Sequence, residues 1–132
     1  MSAIALPAGP KPLEWVGSAR EDLKDFPREV IAEMGHALYQ AQLGRKHPSA
    51  KALTGDGAFK GAGVLEIVES LDGNAYRAVY TVKFAGVVYV LHAFQKKSKT
   101  GIATPKSEID LVKRRLLAAR AHYERDYAAG AS

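Results

Sequence analysis

Three β-rich runs follow one another in the middle of the chain, with only short turns between them. They extend from Val64 to Glu69, from Ala75 to Lys83 and from Val87 to Lys96. Asp72-Gly73-Asn74 separates the first two runs, and Ala85-Gly86 separates the last two. Turns of this kind join antiparallel strands, whereas parallel neighbours need a crossover of about a dozen residues or more. The runs therefore predict a three-stranded antiparallel meander.

On both sides of the meander, apolar residues recur at helical intervals and do not alternate as they do in a strand. Before it, Leu13–Val16 is a short strand candidate, and Ser18 with Glu21 has the form of a capping box that starts a helix. That helix stops before Pro27, and a second helix extends from Pro27 to Gly44. Its apolar residues recur at helical intervals: Val30, Ile31, Met34, Leu38 and Ala41. Together these segments predict an antiparallel helical hairpin.

A final helix is predicted after the meander, with Thr104 as its cap and Pro105 in its first turn. Its apolar face consists of Ile109, Val112, Leu116, Ala119, Tyr123 and Tyr127. The segment 45–63 is rich in glycine and polar residues and is predicted to be a long loop. The element order β-αα-βββ-α predicts an α+β domain, in which the N-terminal helical hairpin packs on a small antiparallel sheet and the helices share one sheet face.

A length of 132 residues suits a single domain. We expect a flexible arm at 1–11, one domain at 12–127 and a frayed tail at 128–132. The chain has no cysteine, which excludes disulfides and cysteine nucleophiles and fits a reducing compartment. No apolar run reaches the roughly 18 residues of a membrane span, and the first residues do not resemble a signal peptide. These features predict a cytoplasmic protein.

Positive charge is concentrated near the C-terminus. Residues 95–125 contain nine Lys or Arg and three Asp or Glu, a net charge of +6, whereas the rest of the chain carries −1. Such a field favours a polyanion or an acidic protein partner, although a solvated helix face has the same pattern. Three of these cations recur every seven residues along one edge of the final helix, and we call them the basic ridge: Lys106, Lys113 and Arg120.

Residue spacing excludes several kinds of site. The four histidines include no pair at i, i+4 and no neighbouring carboxylate motif, so no metal site is expected. The glycine-rich segment 55–61 lacks the Lys-Ser/Thr ending of a phosphate-binding P-loop. The chain also lacks the nucleophile elbow of a Ser-His-Asp hydrolase. We therefore expect no metal and no other cofactor.

A group of cationic and aromatic residues remains on the predicted sheet: Arg77, Tyr80, Tyr89, His92, Lys96 and Lys97. Phosphodiester cleavage without a metal needs such groups, because Arg or Lys neutralises the developing charge and His, Tyr, Glu or Lys moves protons. The alternative is structural. Tyrosines are common half-buried strand residues, and His92 could be hydrogen-bonded within the sheet.

The same strands resemble the RelE/ParE toxin superfamily, in particular its HigB-like, phage-derived branch. The similar segments are Val64–Ile67, Tyr76–Tyr80 and Val88–Ser98, the last of which ends in Leu-His-Ala-Phe-Gln-Lys-Lys-Ser. The resemblance extends over about residues 13–124 and implies a RelE-like fold. It also implies the toxin of a type II toxin–antitoxin system, an mRNA interferase. This endoribonuclease cuts mRNA on the ribosome, through attack of a ribose 2′-hydroxyl on the adjacent phosphate, and so inhibits translation.

Partners are implied in the same way. A cognate antitoxin, expected to be a helix-turn-helix protein, would neutralise the toxin, whose targets would be the ribosome and mRNA. Operator DNA would be reached only through the antitoxin, and no membrane partner is expected. The alternative is a non-catalytic toxin that binds a protein such as DNA gyrase, as in the ParE branch, or an inactive phage-derived relative.

Residue by residue, the resemblance assigns Arg77 to the scissile phosphate and Lys96 to transition-state charge and leaving-group protonation. RelE has lysines on the first meander strand, where Glu66 and Val68 stand here, and its catalytic tyrosine has no counterpart. The general base is therefore open between His92 and Glu66. We predict that His92 is the base and that Glu66 pairs with Arg77 and orients it. Replacing Arg77 or Lys96 is expected to disturb sheet packing little. RNA contacts are predicted for Lys97, Lys99, Lys106, Lys113, Arg120, Tyr80 and Tyr89.

Overall fold

The computed structural model describes residues 9–53, 57, 59–96 and 104–128. Most of the predicted N-terminal arm and the segment 97–103, which contains Lys97 and Lys99, therefore lie outside the described residues. The strands are β1 (Leu13–Trp15), β2 (Ala50–Ala52), β3 (Val64–Leu71), β4 (Asn74–Thr81) and β5 (Val88–Lys96). The helices are α1 (Ala19–Lys24), α2 (Arg28–Gln42) and α3 (Lys106–Tyr123), and α3 continues into a π-helical turn at Glu124–Ala128.

All five strands form one sheet, in the order β1-β5-β4-β3-β2. The predicted meander is confirmed, because β4 pairs antiparallel with both β3 and β5. Asp72 and Gly73 form the turn between β3 and β4 with φ of 52° and 82°. Two positive φ angles suit a two-residue hairpin, whose twist matches that of the strands it joins. The short β1 pairs parallel with β5, so the sheet is mixed and not purely antiparallel as predicted.

Two further expectations about the architecture are wrong. The predicted loop at 45–63 contains β2, which pairs antiparallel with β3 through residues 50–52.

The helices also lie on both faces of the sheet. Val30, Met34 and Leu38 of α2 share a core with Ile67 and Tyr80. Ile109 and Val112 of α3 belong to a second core, which includes Val79 and Leu91. Adjacent strand residues such as Val79 and Tyr80 are both apolar, so both faces of the meander need cover. The α+β class and the packing of the helical hairpin on the sheet are confirmed.

Local hydrogen bonds decide where the helices begin and end. Gly44, at φ 80°, ends α2 as predicted, since the backbone N–H groups of Gly44 and Arg45 donate to Ala41 and Gln40. This is the pattern of a Schellman motif. The predicted capping box is not formed, because the Ser18 hydroxyl donates to Asp22 and accepts no backbone N–H of the helix. Thr104 is not a cap either. Its hydroxyl is buried without a hydrogen-bond partner in the described part of the chain.

None of the helices in the described ranges is long and apolar enough to cross a membrane.

Candidate functional site

Strand register brings the predicted catalytic residues to one face of the sheet. Val79 on β4 is paired with Glu66 on β3 and with His92 on β5, so these side chains form one row across the strands. Arg77 and Lys96 lie on the same face: Arg77 is two residues before Val79 on β4, and Lys96 is four residues after His92 on β5. Directly paired residues project to the same side of a sheet, and the alternation has a period of two. Glu66, Arg77, His92 and Lys96 therefore share one face of the sheet.

A β-bulge at Leu91 adjusts this arrangement. Val79 pairs with His92, whereas the next residue, Tyr80, pairs with Val90, which leaves Leu91 as the extra residue of β5. Leu91 lies in the core beneath α3, and the neighbouring His92 is bonded to α3, so two consecutive residues are directed to the same side. Bulges often redirect side chains in this way. The bulge therefore brings both Leu91 and His92 into contact with α3.

Glu66 and Arg77 form a buried ion pair. Arg77 Nη1 donates to Glu66 Oε1 at 2.5 Å, and both residues are buried. The predicted orienting role of Glu66 is matched by this contact. The expectation that Arg77 can be replaced at little cost to packing is wrong. Its removal would leave the Glu66 carboxylate buried without its counter-charge, which is strongly destabilising.

His92 is held between two residues of α3. Its Nε2 lies 2.7 Å from Glu108 Oε1, and its Nδ1 lies 3.4 Å from Nη1 of Arg115. The ring also stacks on Phe94, with centroids 4.8 Å apart. An arginine can only donate hydrogen bonds, so Nδ1 must be the acceptor and Nε2 carries the proton. His92 is therefore a buried imidazole whose Nδ1 carries no proton in this conformation, and it could accept a substrate proton only after Nδ1 leaves Arg115.

Arg115 connects α3 to β5 and to the residue that precedes α1. It donates to the carbonyl oxygen of Leu91 at 3.0 Å and to the hydroxyl of Ser18 at 3.0 Å. Neither Arg115 nor Glu108 was among the residues predicted from sequence. The two are seven residues apart, so they lie two turns apart on the same side of the helix. That spacing was available in the sequence, but the same seven-residue rule selected the basic ridge instead.

The basic ridge is exposed, but it is partly neutralised by its own helix. Lys106 and Lys113 lie 3.0 Å and 3.9 Å from carboxylate oxygens of Asp110, and Arg120 lies 3.9 Å from Glu124. The hydrogen bond from Lys106 holds the pKa of Asp110 below its usual value. Such exposed pairs contribute little to stability. The predicted Lys97 and Lys99 lie outside the described residues.

Two predicted RNA-binding residues are in the core. Tyr80 and Tyr89 are each 1% exposed. Burial raises the pKa of both side chains to about 12. Tyr80 packs beneath the helical hairpin, and the Tyr89 hydroxyl lies 2.8 Å from Nδ1 of His122, within hydrogen-bond distance. Neither ring has a surface on which a base could stack, so the structural alternative describes both tyrosines, and we remove them from the candidate site.

Lys51 is a cation that sequence analysis missed. It lies on β2 directly opposite Glu66, and its side chain is exposed. Because paired residues project to the same side, Lys51 extends the row of Glu66, Val79 and His92 to the edge of the sheet. The residue was overlooked because β2 was not predicted. In the described ranges, no three His, Asp or Glu side chains lie close enough together to hold a metal ion.

Comparison with known proteins gives a family match and structural likenesses. The family described as "Phage derived protein Gp49-like (DUF891)" matches residues 21–117, which is more than half of the chain. No curated protein sequence matches the chain. A chain in the crystal structure of the toxin–antitoxin complex RelBE2 from Mycobacterium tuberculosis is similar at 21% identity, with a TM-score of 0.43. The alignment covers 67% of this chain and 94% of that one.

Proposed function

Since the chain belongs to the family of phage-derived Gp49-like proteins, we propose that it is the toxin of a type II toxin–antitoxin pair and cleaves mRNA on the ribosome. The strand segments that resemble RelE/ParE toxins, with a HigB-like last strand, support this proposal. The observation that carries it is the face on which Glu66, Arg77, His92 and Lys96 come together from three strands. Such a face combines cations with proton-transferring groups, as metal-free phosphodiester cleavage requires.

In the proposed reaction, the ribose 2′-hydroxyl attacks the adjacent phosphorus. Its proton passes to a general base, a 2′,3′-cyclic phosphate forms, and the bond to the 5′-oxygen of the next nucleotide breaks. Arg77 would neutralise charge on the phosphorane, and Lys96 would protonate the leaving 5′-oxygen. His92 is retained as the proposed base, in which case Arg115 must release Nδ1, the ring nitrogen without a proton, when RNA binds. Otherwise Glu66, which lies on the same face, takes the proton.

One observation favours a second candidate. Arg77 and His92 both contact other residues of this chain: Arg77 pairs with Glu66, and His92 contacts Glu108 and Arg115. Buried contacts of this kind also suit a toxin that binds a protein such as DNA gyrase without catalysis. In that case the charges stabilise the fold and do not act on a substrate.

Induced expression in a bacterial host distinguishes the two candidates. An mRNA endonuclease is expected to stop incorporation of labelled amino acids within minutes, before DNA is damaged. Lys96→Ala should abolish this arrest, whereas Lys24→Ala, which removes an exposed lysine from α1, should retain it. DNA damage and filamentation during continued translation would support the gyrase-type toxin. The predicted antitoxin should prevent the arrest when it is expressed together with the protein.

A further inference from the structure

A groove of about 340 Å³ lies on the sheet face opposite the candidate site. It opens between the C-terminal end of α2 and the strands β3 and β4. Its floor includes Leu65, Tyr80 and Val82, and its rim carries Lys11, Arg45 and Lys46. Leu65 and Tyr80 are paired across the strands and point away from the face of their neighbours Glu66 and Val79. The groove is therefore separated from the candidate site by the sheet itself.

The charge around this groove is uncompensated among its described lining residues. Three cations stand at the rim, and no carboxylate side chain lines it. Within the described part of the chain, none of the three takes part in an ion pair of 4 Å or less. The exposed cations of the basic ridge differ, since each has a carboxylate within 4 Å on its own helix. A field of one sign in a concave surface attracts a ligand of the opposite sign.

The floor of the groove offers exposed apolar surface, in addition to the positive charge of the rim. Val82 is 40% exposed, and Leu43, which adjoins the groove residue Gly44, is 37% exposed. Covering such aliphatic side chains would be favourable, because apolar surface is removed from water. Nucleic acid suits this floor poorly. The aromatic residue in it, Tyr80, is 1% exposed and has no ring face open for a base.

From this combination we propose that the groove binds an acidic peptide segment of a protein partner. Aliphatic side chains of the segment cover the floor at Leu65 and Val82, while its carboxylates pair with the rim cations. The chain's own first eight residues lack this chemistry, since they contain no Asp or Glu. Because the groove and the candidate site occupy opposite faces, this binding does not depend on RNA cleavage, and a partner in the groove would lie on the side of the sheet away from Arg77 and His92.

Backbone and methyl NMR shifts of the full-length protein test the proposal with defined probes. The first probe is a twelve-residue peptide of repeated Leu-Glu-Glu, and the second has Gln at every Glu position. The third is an oligouridylate of twelve nucleotides. The proposal predicts that only the first probe shifts the signals of Gly44, Leu65 and Val82. Added salt should weaken its binding, because exposed ion pairs are screened.

Substitutions then assign the binding to the rim and the floor. The double variant Arg45→Gln/Lys46→Gln should bind the acidic peptide about fivefold more weakly. The matched variant Arg20→Gln/Lys24→Gln removes the same charge from α1, outside the groove, and should bind as the wild type does. Val82→Asp, at a position exposed enough to tolerate it, should abolish binding.

Three results would overturn the proposal. In the first, the oligouridylate shifts the groove signals and the peptide does not, which makes the groove a nucleic-acid site. In the second, both double variants lose the same affinity for the peptide, which means that the net charge of the protein and not the groove determines binding. In the third, nuclear Overhauser contacts join the methyl groups of Ile4 or Leu6 to Val82 and no peptide binds, which assigns the groove to the chain's own N-terminus.

Discussion

The buried pair of Glu66 and Arg77 gives the largest stability effect that this structure predicts for a single charge. Arg77→Met removes the guanidinium, whose Nη1 lies 2.5 Å from Glu66 Oε1, and leaves the Glu66 carboxylate facing an apolar side chain. The two side chains are 9% and 6% exposed, so water cannot replace the lost partner. Removing one member of a buried pair costs about 3–5 kcal/mol, whereas an exposed pair is worth about 0–1 kcal/mol. We therefore expect Arg77→Met to lower the free energy of unfolding by about 3–5 kcal/mol.

Urea denaturation followed by circular dichroism measures this change. The variant Glu66→Leu should lose a similar amount, while Glu66→Leu/Arg77→Met should lie within about 1 kcal/mol of the wild type, because apolar residues can replace a buried pair. Lys106→Met is the matched control, since it breaks an exposed pair with Asp110 and should cost at most about 1 kcal/mol. A loss below about 1 kcal/mol for Arg77→Met, or a double variant less stable than both single variants, would refute the reasoning.

Three further predictions concern α3 and its contacts. Long-range ¹H–¹⁵N NMR spectra should show His92 as the neutral tautomer with the proton on Nε2, and Glu108→Ala should redistribute that proton; an Nδ1–H signal in the wild type would contradict the network. The hydrogen bond to Glu14 raises the pKa of Tyr127 to about 12, above the ordinary value near 10, so its contribution to stability is complete below pH 10 and is lost as the pH rises towards 12. Tyr127→Phe should therefore lower the free energy of unfolding by about 1 kcal/mol at neutral pH. Between pH 10 and 12 the variant should lose less stability than the wild type, and an equal loss in the two proteins would contradict the prediction. Replacing all three residues of the basic ridge by Ala should weaken ribosome binding and flatten its salt dependence without moving the cleavage positions, whereas altered positions would mean that the ridge reads bases.

Much of the fold was predictable because the hydrophobic periods are clear. Alternation and short turns identified β3, β4 and β5, and helical spacing with Gly44 identified α2. β2 was missed because three residues, of which only Ala50 is buried, cannot display a period. The placement of α3 was missed for a different reason. The apolar stripe of a helix shows that it packs against something, but not on which face of the sheet it lies.

The candidate site was also predictable only in part. Residues at every second position of one strand share a face, so Arg77 could be assigned a side, and the pairing with Glu66 followed once register was assumed. The partners of His92 could not be predicted, because Glu108 and Arg115 are 16 and 23 residues away in sequence. Their contacts depend on the angle at which α3 crosses the sheet. The bulge at Leu91 was also hidden, since it arises from pairing between strands and not from either strand alone.

Detection of 2′,3′-cyclic phosphate ends on cellular RNA tests the central proposal most directly. The ends would be captured and sequenced from cells that express the wild type, Lys96→Ala or Lys24→Ala, at matched levels of folded protein. The proposed reaction predicts new cyclic phosphate ends within the coding regions of translated mRNA for the wild type and for Lys24→Ala, and their loss for Lys96→Ala. Growth arrest by the wild type without such ends would contradict the assignment of this face to RNA cleavage.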